Sequence, residues 1–305
     1  MSTARGSVAL SFVIPMYNEE AIVRTAIARV TEVGIGMGRP FEVLAVDDGS
    51  VDATPEILAD LRAARPNLRC VRLHPNRGKP AACKAGLRHA RGELIVVLDA
   101  DLQTPPEVVP RIVAELERCG PEVAAVFGVT STAERDDPLR LLVGQAVFYF
   151  LQSRLSRRPI PRGAGSFFVT RRDVAGRLGG LAFTKGNVGA VMAALGLRMS
   201  AVPYVKRRSY RDVSRLGLRG HVEEALGSLA LTGVLSRLGV TGALLGTILA
   251  RVLAVRSRPA ATVALGLAAV AAAAVGVAED FADRSLATVA DYRRSTVTEI
   301  PSRRL

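Results

Sequence analysis

Short apolar segments alternate with helical patterns through the first half of this 305-residue chain, and this alternation strongly constrains its fold. The apolar segments predict β-strands, and the segments between them predict helices. The predicted strands are 8–14 (ended by Pro15), 41–46, 68–73, 94–98 and 122–127, and the predicted helices are 18–33, 79–90, 106–117 and one starting near Thr54. Such an order predicts an α/β fold with a mostly parallel, Rossmann-like sheet and helices on both faces.

After residue 138 the pattern is less regular. A helix is predicted over 139–155, a short strand over 166–170 and a further helix over 185–199, followed by a basic stretch at 206–211.

In the earlier helix near residue 54, Thr54 is the predicted N-cap and Pro55 the first helical residue, which are positions that these residue types favour.

Two carboxylates, Asp99 and Asp101, follow the strongly apolar strand at 94–98. Ligands of open α/β sheets bind beyond the carboxyl ends of the strands. Pro105 and Pro106 prevent the strand from continuing, which keeps both carboxylates at this end of the sheet. Carboxylate oxygens suit Mg²⁺ or Mn²⁺, especially when a substrate diphosphate completes the coordination. The plainer interpretation is a strand that ends in a solvated acidic turn.

Polar clusters also follow the other early strands, at 15–19, 47–50 and 76–79, and parallel strands bring such clusters to one edge of the sheet. Acids, glycine turns and one lysine, joined by a metal ion, fit a nucleoside diphosphate. Asp47 or Asp48 can accept hydrogen bonds from a base or ribose, and Lys79 can offset phosphate charge. Each cluster alone could also be an ordinary turn, and Asp52 and Thr54 could serve only to organise their loop.

The chain is strongly basic, with a net charge of +13 and an isoelectric point near 10.7. That balance favours phosphorylated substrates or anionic lipid surfaces. Nucleic acid is not favoured as a partner, because the chain has no Trp and no interleaving of basic and aromatic residues. Cys70, Cys83 and Cys119 lack paired spacing, which argues against both a disulfide framework and a zinc site.

The motifs VIPMYNEE, VLAVDDGSVDAT and NRGKPAACKAGLRHARGELIVVLDADLQTPPEVV resemble glycosyltransferase family 2, across roughly residues 8–130. The likeness is greatest to the branch of dolichol-phosphate mannosyltransferases and bacterial polyprenyl-phosphate glycosyltransferases. It implies a GT-A fold, a nucleotide-sugar donor, Mg²⁺ or Mn²⁺ at Asp99 and Asp101, and transfer with inversion at the anomeric carbon. The implied donor site comprises Pro15, Tyr17, Asn18, Glu19, Asp47, Asp48, Gly78, Lys79, Asp99, Ala100 and Asp101, and the predicted catalytic residues are Asp99, Asp101 and Gln103.

The acceptor half departs from the pattern of that family. Relatives often carry Pro-x-Asp-x-Gly-Asp-Phe-Arg, whereas here Gly163 and Ser166 replace the acids and Phe168 replaces the arginine. A hydroxyl acceptor gains roughly 100- to 10,000-fold from a positioned base. A phosphate monoester, with a second pKa of about 6, is already ionised and needs only cations to hold it. The candidate acceptor-phosphate residues are Arg162, Arg208, Arg211, Ser214 and Arg215.

Two alternatives remain open for this half of the chain. If the acceptor is a hydroxyl on a lipid, polysaccharide or natural product, Asp136, Asp137 or Asp212 could act as the base. Because Gly163 and Ser166 replace the acids of the family pattern, the chain could also be a donor-binding relative that has lost catalysis. The basic stretch itself could be a solvated or lipid-facing surface.

Residues 259–278 contain no charged side chain, and their length matches the roughly 20 residues of a membrane-spanning helix. A buried helix of a soluble protein is the alternative. The predicted organisation is a catalytic domain at 1–220, a juxtamembrane or first membrane helix at 221–258, a span at 259–278 and a flexible basic tail at 279–305. The leading hypothesis is sugar transfer to a polyprenyl phosphate at a membrane, with the catalytic domain cytoplasmic.

Overall fold

The structure is a computed structural model that describes residues 8–130, 150, 152, 158–181 and 188–206, and the backbone of 296–299. The predicted segments at 221–258 and 259–278 lie outside these ranges, as does the predicted helix at 139–155 apart from positions 150 and 152. In the part of the chain that is described, no helix combines the length and the apolar character that a bilayer crossing requires.

Strands and helices alternate from the start of the described chain, as predicted. The strands are β1 (Leu10–Met16), β2 (Phe41–Asp47), β3 (Leu68–His74), β4 (Leu94–Val97), β5 (Val123–Thr130), β6 (Ala164–Arg171), β7 (Arg198–Tyr204) and β8 (Thr296–Glu299). The helices are α1 (Val23–Gly36), α2 (Thr54–Ala64), α3 (Lys79–His89), α4 (Val109–Arg118, after a short 3-10 turn at Pro106–Val108), α5 (Arg172–Gly180) and α6 (Val188–Ala194).

Among the described residues the strands form an eight-stranded sheet in the order β7-β5-β6-β4-β1-β2-β3-β8. Only β6 and β8 of these strands run against the others, which confirms the mostly parallel sheet. The helices α1, α2 and α4 cover one face, and α3, α5 and α6 cover the other. Neighbouring residues of β1, such as Phe12 and Val13, pack into opposite cores, which explains why the predicted strands are continuously apolar.

The sequence prediction was wrong at several boundaries. Pro15 lies inside β1, opposite Val46, and does not end the strand. Its missing N–H is tolerated because β1 pairs with β4 only as far as Val13. Thr54 is the first residue of α2 and not its cap. The Asp52 carboxylate accepts the Thr54 N–H at 3.0 Å, while the Thr54 hydroxyl accepts the Glu19 N–H at 2.8 Å.

Two strands were missed by the sequence analysis. The predicted helix at 185–199 ends at Ala194, because Gly196 adopts a φ of 74° and the chain then turns into β7. Residues 296–299 belong to the predicted flexible tail, yet their backbone pairs with β3 in antiparallel fashion. A strand of four residues without a strong apolar pattern is difficult to predict from sequence.

A lysine, Lys84, is buried between α3 and the end of α5, with 1% of its surface exposed. Its ammonium donates a hydrogen bond to the Leu181 carbonyl oxygen at 3.4 Å. Burial, with a smaller effect from the positive charge of Arg88, lowers the pKa of Lys84 from 10.5 to about 8. The folded protein therefore loses this proton at a lower pH than the unfolded chain does.

This shift predicts a pH-dependent stability. Between about pH 8 and pH 10.5 the unfolded chain binds the proton that folded Lys84 has released, so the free energy of unfolding should rise with pH over this range. We expect the wild type to gain about 1–3 kcal/mol relative to a Lys84→Met variant. Urea unfolding of both proteins across this range measures the difference. Parallel pH profiles for the two proteins would contradict the prediction.

Candidate active site

The carboxyl ends of β1, β2 and β4 converge at one edge of the sheet, as the sequence predicted. Asn18 follows β1, Asp47 ends β2, and Asp99 lies two residues after β4. Lys79 begins α3 immediately after the glycine turn at Gly78, which adopts a φ of 86°. Residues from four separate segments therefore meet at this edge.

Asp99 is at the centre of this cluster. Its Oδ1 lies 2.8 Å from the Lys79 ammonium nitrogen, and its Oδ2 accepts a hydrogen bond from the Ser166 hydroxyl at 2.9 Å. Ser166 reaches this position because β6 runs antiparallel to β4. Phe168 pairs with Val97, the last residue of β4, so Ser166, two residues before Phe168, faces Asp99, two residues after Val97. The sequence analysis placed Asp99 near the glycine turn correctly but did not anticipate the contact with Ser166.

The two carboxylates of the dyad, Asp99 and Asp101, have pKa values shifted in opposite directions. Burial opposes ionisation of Asp99, but the Lys79 charge and the hydrogen bonds from Lys79 and Ser166 outweigh it and lower the pKa. Burial and the negative charge of Asp99 raise the pKa of Asp101, although its Oδ1 accepts the Gln103 N–H at 3.0 Å. The dyad is thus a site of concentrated negative charge that a cation would stabilise.

The dyad fits a divalent cation only as part of a larger ligand set. Within the described ranges there is no group of three or more His, Cys, Asp or Glu side chains arranged to hold a metal. Two carboxylates suit Mg²⁺ or Mn²⁺ when phosphates and water supply the other ligands. Gln103 is half-buried beside Asp101, and its predicted catalytic role stays a prediction.

The loops that follow β1 and β2 are joined by hydrogen bonds. The Asn18 N–H donates to the Ser50 hydroxyl at 2.9 Å, and the Asn18 side-chain oxygen accepts the Val51 N–H at 2.9 Å. Asn18 adopts a φ of 52°, a region that asparagine tolerates better than most residues do. These contacts position the half-buried Tyr17 and the buried Glu19 at the edge of the sheet.

Asp47 and Asp48 have different surroundings although they are adjacent. Asp47 has no exposed surface; its Oδ1 accepts the Ser50 N–H at 3.0 Å and its Oδ2 lies 3.1 Å from Arg72 Nε. Burial raises the pKa of Asp47 above its usual value. These contacts hold the turn after β2, and direct donor binding by Asp47 stays a prediction.

Asp48 instead links β2 to the glycine turn before α3. Its Oδ1 accepts the Arg77 N–H at 2.9 Å, and the Asn76 side chain donates to its carbonyl oxygen at 2.9 Å. Burial raises the pKa of Asp48, and the backbone N–H groups of Arg77 and Gly78 oppose that effect. The turn that carries Lys79 is therefore positioned by Asp48.

Pro15 and Ala100 are two predicted donor residues whose side chains are buried. Ala100 packs in the core beneath α1 and α4, at 3% exposure. A donor contact by either residue would therefore involve its main chain rather than its side chain.

The end of β7 is tied to the loop that carries Asp101. The hydroxyl groups of Thr104 and Tyr204 lie 3.0 Å apart, and Lys206 follows Tyr204 by two residues. The positive charge of Lys206 lowers the pKa values of both carboxylates of the dyad. Its effect is smaller than those of burial and of the Lys79 charge. A strand at 198–204 was not predicted, so this approach of Lys206 to the dyad could not have been inferred.

The predicted acceptor residues are mostly outside the described part of the chain. Arg162 is exposed and precedes β6. Outside the described residues lie the other four candidates, Arg208, Arg211, Ser214 and Arg215. The same is true of the alternative bases, Asp136, Asp137 and Asp212.

Comparison with known proteins agrees with the resemblance seen in the motifs. The sequence model described as "Glycosyl transferase family 2" matches residues 11–179. "Uncharacterized glycosyltransferase YkcC" of Bacillus subtilis is 32% identical over 196 residues, covering 64% of this chain and 59% of that protein. "Undecaprenyl-phosphate 4-deoxy-4-formamido-L-arabinose transferase" of Aeromonas hydrophila is 44% identical over 105 residues, covering 34% of this chain and 32% of that protein. The chain therefore matches less than two thirds of the length of either relative.

Solved structures share the fold at low sequence identity. The mannosyltransferase PcManGT from Pyrobaculum calidifontis, solved with GDP-Man and Mn²⁺, has a TM-score of 0.52 and 23% identity, covering 93% of this chain and 81% of its own. Mannosyl-3-phosphoglycerate synthase from Rubrobacter xylanophilus has a TM-score of 0.55 and 20% identity, covering 77% of this chain and 75% of its own. These similarities confirm a GT-A-like α/β fold.

Proposed function

Since the chain belongs to glycosyl transferase family 2, we propose that it transfers a sugar from a nucleoside-diphosphate sugar to a polyprenyl phosphate. Transfer would invert the anomeric carbon and take place at the cytoplasmic face of a membrane. The observation that carries the donor half is the cluster of Asp99, Lys79 and Ser166 at the carboxyl end of β4. The name of the Aeromonas hydrophila relative supports the acceptor half.

Asp99 and Asp101 are the residues that would hold Mg²⁺ or Mn²⁺, together with the donor diphosphate. The chemistry that such an ion supplies is stabilisation of the negative charge on the leaving diphosphate. Lys79 lies next to the same carboxylates and would add a second positive charge at the diphosphate. Asp48 would assist by holding the glycine turn that places Lys79.

The surroundings of Ser166 favour a phosphate acceptor over a hydroxyl acceptor. A serine cannot serve as the general base that an acidic residue at this position could provide, and its hydroxyl already donates to Asp99. A phosphate monoester is ionised near neutral pH, with a second pKa of about 6, and attacks without giving up a proton. Arg162 is the described member of the cation set that we propose for holding it.

The test is product analysis with membranes that contain the full-length protein. They are incubated with a panel of labelled nucleotide sugars, with and without undecaprenyl phosphate, beside membranes that contain an Asp101→Asn variant. We expect the wild type to form an organic-extractable product that mild acid hydrolyses, and to need added lipid phosphate for it. An acid-stable product would show a hydroxyl acceptor instead, and donor binding without any transfer would show a binding protein. Either of these results would overturn the proposal.

A further inference from the structure

Both oxygens of the Asp99 carboxylate are engaged by groups of the protein itself. The Lys79 ammonium lies 2.8 Å from Oδ1, and the Ser166 hydroxyl donates to Oδ2 at 2.9 Å. Lys206 adds a further positive charge that acts on Asp99 and Asp101. The protein therefore already supplies positive charge at the position where a divalent ion would bind.

An ammonium group and a divalent cation compete for the same carboxylate. Their mutual repulsion is strong at separations of a few ångströms, and partial burial of the dyad reduces its screening by water and salt. Asp99 has 26% of its side chain exposed, so this screening is incomplete. A metal ion that binds without any other ligand must work against the charge of Lys79.

Lys79 is placed so that it can leave Asp99. Its side chain is 49% exposed, and it is the first residue of α3, directly after the left-handed Gly78. A lysine ammonium is a point charge on a flexible stem with three donors, so it can transfer to a diphosphate without movement of the backbone. A diphosphate bound at the dyad is the negative group that would draw it away.

We propose that Lys79 couples metal binding to diphosphate binding. Without a donor its ammonium pairs with Asp99 and opposes the binding of a metal ion, and when the donor enters it moves from Asp99 to the diphosphate. The coupling rests on the donor site of the proposed function but not on the identity of the acceptor. It makes metal and nucleoside diphosphate bind cooperatively, because each removes an obstacle to the other. By thermodynamic linkage the effect is the same in both directions.

The test measures binding to the purified full-length chain. Electron paramagnetic resonance of free Mn²⁺ gives the affinity for the metal alone, and calorimetry gives the affinity for UDP and for GDP with and without saturating Mn²⁺. We expect Lys79→Met to bind Mn²⁺ alone about ten- to a hundredfold more tightly than the wild type, which is within the usual range of such couplings. The enhancement of nucleotide binding by Mn²⁺ should be correspondingly smaller in that variant.

Two control variants separate this effect from a change in total charge. Lys79→Arg keeps a cation beside Asp99 and should bind Mn²⁺ alone as weakly as the wild type does. Arg24→Met removes one positive charge from a partly exposed residue of α1 that pairs with Asp60, and it should leave Mn²⁺ binding unchanged. Circular dichroism checks that each variant is folded.

Equal Mn²⁺ affinity in the wild type and Lys79→Met would overturn the inference. Nucleotide binding by the wild type that does not depend on Mn²⁺ would also overturn it. This second test uses the wild type alone, so it remains valid even if the Lys79→Met variant does not fold. The proposed function fails on a different measurement, the chemistry of the transfer product. Strong coupling with an acid-stable product would keep this inference and reject the polyprenyl phosphate acceptor.

Discussion

Asp101→Asn is expected to lower the rate of sugar transfer by about a hundred- to a thousandfold, the range seen when a group that stabilises developing charge is removed. The substitution keeps the size of the side chain and an oxygen that can accept the Gln103 N–H, so the loop after β4 should stay in place. It removes the negative charge that would bind a divalent ion beside Asp99. The loss should therefore appear in both catalysis and Mn²⁺ affinity, with little change in stability.

A matched control for Asp101→Asn is Asp60→Asn on α2. Asp60 is about half exposed and lies 3.9 Å from Arg24, away from the dyad. Two measurements compare the variants. One is the rate of sugar transfer by membranes that contain each variant, and the other is the binding of Mn²⁺ and nucleoside diphosphate by the purified proteins. If Asp101→Asn kept wild-type affinity for nucleoside diphosphate in the presence of Mn²⁺, the dyad could not be the metal site.

Asp47→Ala should lower the free energy of unfolding by about 2–3 kcal/mol, since it leaves a buried N–H group without its acceptor and a guanidinium without its ion-pair partner. The groups affected are the Ser50 N–H and Arg72 Nε. Arg72 is 35% exposed, so water can replace part of what it loses, which keeps the expected cost moderate. Urea unfolding monitored by circular dichroism measures the change.

Asp47→Asn is the informative companion variant. It retains an acceptor for the Ser50 N–H and avoids burying a charge, and the raised pKa of Asp47 indicates that burial disfavours the ionised form. We expect its cost to be below about 1 kcal/mol. A cost as large as that of Asp47→Ala would show that the charge itself, through Arg72, stabilises the turn. A negligible cost for Asp47→Ala would remove the structural role assigned to this residue.

The part of the fold that local sequence determines was predictable. From β1 to β4 each strand packs residues into both cores and is followed by a polar cluster, so the pattern predicted both the elements and the edge at which Asp99 and Lys79 meet. The convergence of the loops after β1, β2 and β4 followed from the direction of parallel strands. It did not require knowledge of any long-range pairing.

The remainder depended on pairings between distant segments. The insertion of β6 between β4 and β5, antiparallel to both, brings Ser166 to Asp99, and no local pattern encodes that register. The different roles of Asp47 and Asp48 depend on which way two adjacent side chains turn, and the sequence shows only two acids in succession. The strand β7 was missed because the small residues before it fit a helix, so the predicted helix ran on to residue 199, past the end of α6 at Ala194.

The position of β6 also affects the order in which the centre is assembled. Asp99 and Ser166 are 67 residues apart in the chain, and the strand that carries Ser166 forms one side of β4. A ribosome therefore releases both acids of the dyad well before the strand that flanks them. A fragment that stops at residue 130 would expose the edge of β4 and lack the hydrogen bond from Ser166 to Asp99, although it keeps Lys79, so the nascent amino-terminal half cannot form a complete centre by itself.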